Sequence, residues 1–216
     1  MMIKVLGLLG SARRGGNSEV LLENVVDGIR SIDSDVEVEV IRLSKLKINP
    51  CLNCGGCDSE GICVQRDDMQ EIYDKLLTFD IILLASPIYF MGVSAWAKAT
   101  IDRCQALWVR KYRLKKLPKK SRAERMGAFL SVSGMKKPTV FDGAKLTVQS
   151  FFATIHVTYV GNLLYSGIDA KGDLAKHPTA FKDAKALGER LIKEFNNPDL
   201  LLTDTSPEPQ AEHDRK

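Results

Sequence analysis

Apolar runs of strand length alternate with amphipathic helical segments five times along this chain, and that order limits the fold more than any other feature. Residues 3–9 form the first run, closed by the turn signal Gly10-Ser11. The segment opened by Asn17-Ser18 then places apolar residues at Leu21, Leu22, Val25, Val26 and Ile29, the spacing of one helix face. Residues 36–43 alternate charge with Val and Ile, as a strand nearer a sheet edge does. Asp67-Asp68-Met69-Gln70 reads as a capping-box start for a helix reaching Thr78. A buried strand over 81–85, a loop over 86–93 and a helix over 94–108 follow. Strands over 126–132 and 157–164, with helices over 139–155 and 179–195, complete the pattern. Such alternation predicts an α/β doubly wound parallel sheet with helices on both faces.

With 216 residues and 44% apolar content, the chain suits one domain over 1–196, followed by a polar, Pro-containing tail over 197–216. The net charge of +4 is unevenly spread: 110–125 carries nine basic residues and one acid, leaving the remainder at −4. A uniformly basic nucleic-acid binder is therefore disfavoured, and Tyr112 alone provides no stacking series in the basic segment. That segment reads either as a solvated face or as a local docking surface. The uncharged stretches 81–97 and 146–168 are interrupted by Ser86, Pro87 and Gly92, and by Gln149, His156 and Asn162. They read as buried strand plus loop or helix, not membrane spans. The N-terminus lacks the pattern of a signal peptide, so a soluble, cytoplasmic protein is expected.

The loop Gly10-Ser11-Ala12-Arg13-Arg14-Gly15-Gly16-Asn17-Ser18 between first strand and first helix suits an anion. Glycines let backbone N–H groups converge, the helix N-terminus is partly positive, and Ser11, Arg13, Asn17 and Ser18 add donors. An ordinary turn with Asn17 or Ser18 as N-cap is the plainer alternative. The loop matches neither the dinucleotide fingerprint nor the Walker pattern. After the third strand, Ser86, Pro87, Ile88, Tyr89, Phe90 and Gly92 form a stiffened turn with flat apolar surface, able to hold a planar ring.

The Gly-Ser-x-Arg-x-x-x-Asn-Ser loop, the Ser-Pro-x-Tyr loop, Gly92 and Asp102-Arg103 together resemble the NADPH-dependent FMN reductase group of flavodoxin-like proteins. The resemblance implies a three-layer flavodoxin-like fold with five strands in the order 2-1-3-4-5. It implies that the first loop binds the FMN phosphate, while the second holds the ring together with Ser133 and Gly134. It also implies NAD(P)H as a donor and a homodimer or homotetramer that completes the flavin pocket.

Cys51, Cys54, Cys57 and Cys63 crowd into the loop at 44–66, with Gly55, Gly56 and Gly61 allowing it to fold back. Four clustered thiols in a cytosolic chain point to metal or redox chemistry, and three cysteines at two-residue gaps fit an iron–sulfur cubane better than zinc. Zinc or a metal-free site are the alternatives. The spacing and position are similar to those of the iron-sulfur flavoproteins, a branch of the same group, which implies a [4Fe–4S] cluster on these four residues. That branch also implies a ferredoxin-like acidic donor, for which the basic segment 110–125 is a candidate dock, and a small acceptor such as oxygen, peroxide or a quinone. The alternatives are a cluster-free NAD(P)H-dependent FMN or quinone reductase, or a redox-sensing or zinc-stabilised binding module. Cys104 lies at helical spacing with Ala97, Ile101 and Trp108 and is expected in the core. His156, His177 and His213 are expected to be structural or exposed, and no acid–base catalytic pair is found.

Overall fold

The computed structural model describes residues 2–117 and 125–197. Five strands lie in one sheet: β1 (Lys4–Leu9), β2 (Glu37–Arg42), β3 (Ile81–Tyr89), β5 (Met126–Ser133) and β6 (Thr158–Ser166). Their order is β2-β1-β3-β5-β6, and every neighbouring pair is parallel. This is the expected α/β flavodoxin-like arrangement, with the chain reversing its direction of travel between β1 and β3. β1 and β5 are continuous apolar runs because helices cover both of their faces. β2, at the edge, is only partly buried.

A sixth strand corrects the five-stranded expectation. The loop predicted over 86–93 is instead an extension of β3 to Tyr89 that turns back as β4 (Gly92–Val93), paired antiparallel to it. The turn residues Phe90 and Met91 hold φ values of 48° and 62°. Non-glycine residues rarely adopt this left-handed region, so sequence chemistry gave no hairpin signal there.

α1 (Asn17–Ile32) and α6 (Ala180–Asn196) cover one face of the sheet. α2 (Met69–Thr78), α3 (Ala95–Arg103), α4 (Gln105–Trp108) and α5 (Asp142–Thr154) cover the other. The predicted helix over 94–108 is thus broken at Cys104 and continues as a π-helical turn at Val109–Arg113. Cys104 is buried as expected, with its Sγ 3.4 Å from the Thr100 carbonyl. Leu21, Leu22, Val25 and Ile29 of α1 are fully buried, each contributing about 1.5–3 kcal/mol by leaving water. Among the described residues, no helix is long and apolar enough to cross a membrane. The tail predicted over 197–216 lies outside the described residues apart from Asn197.

Candidate functional site

All parallel strands present their carboxyl ends at one edge, and four loops there line one pocket. Ser11, Arg13, Asn17 and Ser18 come from the first loop, Pro87, Ile88 and Tyr89 from the second, and Ser133 and Gly134 from the third. Ser86, Phe90 and Gly92 stay outside the lining. Ser86 is fully buried beneath the turn, accepting from the Ser94 N–H at 2.9 Å, while its own carbonyl accepts from Ser131 at 2.7 Å. Phe90 projects wholly into solvent at the tip, and Gly92 pairs with Tyr89 in the hairpin.

The first loop is shaped from below by an ion pair. Glu19 accepts from the Gly15 N–H at 2.6 Å and from Arg42, whose other nitrogen donates to the Ser11 carbonyl at 3.1 Å. Burial alone would raise the Glu19 pKa, but the hydrogen bonds from Arg42 and Gly15 outweigh it and the pKa is lowered. The loop carbonyl groups are thereby turned toward Arg42, and α1 begins at Asn17 with its first N–H groups at the pocket. Gly10 permits the close approach of the neighbouring loop: a Cβ there would stand 2.9 Å from Ser94 Oγ.

Asn17 is no N-cap to α1. Its side-chain amide donates to the Ala170 carbonyl at 2.9 Å, and its oxygen accepts from Gly172 and Leu174. It ties the first loop to the segment after β6, which brings Ile168 and Asp169 into the pocket. Neither residue was among the sequence candidates. Their signal was available, since a loop after the last parallel strand shares the same edge. Buried hydroxyls at Ser11 and Ser18, the exposed Arg13 guanidinium and the helix N-terminus gather donors that suit a phosphate. Tyr89, 57% exposed, supplies a flat surface beside it. These groups fit FMN.

The cysteine loop lies between β2 and α2, beside a separate cavity. Its two ends are joined: the Lys47 N–H donates to Asp68 Oδ2 at 2.7 Å, and the Asn49 N–H to Asp67 Oδ2 at 3.0 Å. Asp67 Oδ1 also accepts from the Met69 N–H, so Asp67 caps α2, where Asp68 was the residue adjoining the helix. Inside the loop, burial pushes the Cys57 thiol up, and charge on Asp58, Cys63 and Cys51 adds to this. Cys51, Cys57 and Cys63 are partly buried, while Cys54 is exposed. They do not converge as one compact centre: among the described residues no three Cys, His, Asp or Glu side chains are grouped to hold a metal. Gathering of ligands in small loops is coupled to metal binding. The chemistry of the donor set, four thiols within thirteen residues of one loop, fits an iron–sulfur centre.

The sequence model of the NADPH-dependent FMN reductase family matches residues 3–168. The chain belongs to this family. An iron-sulfur flavoprotein of Methanosarcina thermophila is 31% identical over 155 residues, covering 72% of this chain and 74% of that one. An iron-sulfur flavoprotein of Archaeoglobus fulgidus is 42% identical over 101 residues, covering 47% of this chain and 45% of that one. This chain spans about half the length of that relative and of a similar one from Methanocaldococcus jannaschii. The NAD(P)H:quinone oxidoreductase of Methanothermobacter marburgensis shares the fold with a TM-score of 0.65 at 16% identity, covering 88% of this chain and 96% of that one. The protein is thus an FMN reductase family member of the iron-sulfur flavoprotein branch.

In this FMN reductase relative, the basic segment is largely occupied. Arg113 pairs with Asp58 at 2.8 Å and Lys116 with Glu60 at 3.2 Å, both acids of the cysteine loop. Lys111 donates to the Ala153 carbonyl, and Arg110 packs against Gly61. Arg125 is buried, donating to the Phe79, Ile155 and Leu76 carbonyls, and burial lowers its pKa to about 10. Among the described residues, these bases are engaged within the chain, and Arg113 and Lys116 stay half-exposed. Lys119 and Lys120 lie outside the described residues.

Proposed function

We propose that this protein is an FMN-dependent electron-transfer oxidoreductase that also carries a [4Fe–4S] cluster on Cys51, Cys54, Cys57 and Cys63. Its donor is a one-electron carrier of the ferredoxin kind, and its acceptor a small molecule such as oxygen, peroxide or a quinone. The pocket of Ser11, Arg13, Ser18, Tyr89, Ser133 and Gly134 at the strand ends carries the reading. A flavin handles one electron or two and a cluster one at a time, so the pair links the two kinds of carrier.

The chain's own part is positioning. Arg13, Ser11, Ser18 and the N-terminus of α1 hold the phosphate, and Arg42 with Glu19 holds the loop that presents them. Tyr89 and the Pro87-Ile88 backbone bound the ring site on one side, Ser133 and Gly134 on the other. Assembly with a second copy of this chain, as a homodimer or homotetramer, would enclose the exposed Tyr89.

Protein purified from anoxic cells tests the reading. Flavin absorption together with iron and labile sulfide is expected, with the metal lost and the flavin kept when Cys51, Cys54, Cys57 or Cys63 becomes Ser. Flavin without sulfide, bleached rapidly by NADPH, would support a cluster-free NAD(P)H-dependent reductase. The unconverged thiols are the observation favouring that second reading.

A further inference from the structure

Arg103 ends α3 and is 1% exposed. Its Nη1 and Nη2 grip the two oxygens of Asp67 at 2.6 and 3.1 Å, and Nη1 also donates to the Asn49 carbonyl at 3.0 Å. Asn49 precedes Cys51 by two residues and Asp67 follows Cys63 by four, so one guanidinium bonds both ends of the cysteine loop. Burial works against the charge of Arg103, but the bond to Asp67 prevails, with support from Tyr73 and Cys63. A bidentate pair with side-chain exposures of 0% and 5% is not a surface salt bridge.

The remaining nitrogen, Nε, is buried and has no partner. An orphaned buried donor is costly. Tyr73 donates to the Arg103 carbonyl at 2.7 Å, and Tyr73 and Cys63 line one cavity of about 280 Å³. Burial pushes the Tyr73 hydroxyl up, and Cys63 beside it adds to the shift. Of the four loop cysteines, Cys63 is the one that lines this cavity with Tyr73.

We propose that Arg103, with Asp67 and Tyr73, is the positioning group of the cysteine centre. It closes the loop at its base and holds a buried guanidinium behind Tyr73, which shares the Cys63 cavity, setting how firmly the centre keeps its iron and how easily it is reduced. This rests on the cluster reading above. A cation close to a sulfur ligand favours the more negative, reduced state, so the potential is higher with Arg103 than without it.

The test uses the full-length protein purified without oxygen as wild type, Arg103→Gln, Arg103→Lys and Tyr73→Phe. Iron release to a chelator should quicken by about tenfold or more in Arg103→Gln and by less in Tyr73→Phe. The potential should fall in Arg103→Gln and stay near wild type in Arg103→Lys, which keeps the charge and loses the fork. A merely structural role would not make the potential follow charge in this way. Flavin content, which depends on the other loops, should be unchanged in all four. Wild-type release and potential in Arg103→Gln would overturn the proposal; if that variant retains no flavin, Arg103→Lys and Tyr73→Phe decide by the same two readings. A fourth measurement needs no cluster: limited proteolysis within 51–66 of iron-free protein should accelerate in Arg103→Gln. Should wild type hold no iron, the cluster reading fails, and unchanged proteolysis would overturn the staple separately.

Discussion

Gly28 on α1 and Gly188 on α6 meet where the two helices cross on one face of the sheet. A Cβ on Gly28 would lie 2.2 Å from the Lys185 carbonyl oxygen, and one on Gly188 would lie 2.1 Å from that of Val25. The obstacle on each side is backbone, which cannot rotate away. Alanine at either position should therefore force the helices apart and destabilise the protein by about 1–3 kcal/mol or more. Urea titration of Gly28→Ala and Gly188→Ala checks this. Because the crossing is remote from the pocket, FMN affinity at temperatures where the variants remain folded should be little changed.

Arg13 is the exposed guanidinium of the proposed phosphate site, with one nitrogen donating to the Asp169 carbonyl at 3.1 Å. Losing one charge-assisted hydrogen bond costs about 1.5–3 kcal/mol. Arg13→Ala should accordingly weaken FMN binding by about ten- to a hundredfold, and Arg13→Lys by less. Fluorescence titration of the apoprotein with FMN measures both. Riboflavin, lacking the phosphate, should bind wild type and Arg13→Ala equally.

Glu19 should make folding acid-sensitive. Its folded pKa is lowered, so its contribution is fully present above the ordinary value of 4.5 and is lost as pH falls through the lower folded value. Glu19→Gln should reduce stability at pH 7, with the gap to wild type closing as acid protonates Glu19. Denaturant midpoints from pH 7 down to the acid limit would show it. A gap that persists at the lowest pH would mean that the stabilisation is not electrostatic.

The pairs Arg113–Asp58 and Lys116–Glu60 are half-exposed, and such pairs are worth less than about 1 kcal/mol. Reversing both bases to Glu should loosen the cysteine loop at low salt only, seen as faster hydrogen exchange over 57–61, with FMN affinity unaffected. If instead an acidic one-electron donor reduces the variant more slowly while exchange is unchanged, the segment is a docking surface.

Much of the fold was readable in the sequence because strand and helix periods are local properties. β1 is buried on both faces and reads as an unbroken apolar run; α1 has one buried face and reads at helical spacing. The parallel topology then implies that loops after β1 and β3 share one edge, which is why Ser11 and Pro87 could be grouped while far apart in the chain, whereas Ser133 was named through the family resemblance. The β4 hairpin could not be anticipated, because Phe90 and Met91 occupy a backbone region that their residue types disfavour.

Local pattern says which residues can donate, ligate or bury; it does not say which partner claims them. Asn17 was legible as a donor, yet its amide is committed to the loop at 170–174. Arg125 counted as surface charge, yet it is buried against the carbonyls of Leu76, Phe79 and Ile155. Asp102-Arg103 stood in a motif without a role until packing set Arg103 against Asp67. The sequence by itself determined the order of elements, the glycine-rich loop after the first strand and the four thiols close together in the chain. Tertiary packing alone decided these pairings, because contacts between distant residues depend on how helices seat on the sheet, and no short window of sequence carries that geometry.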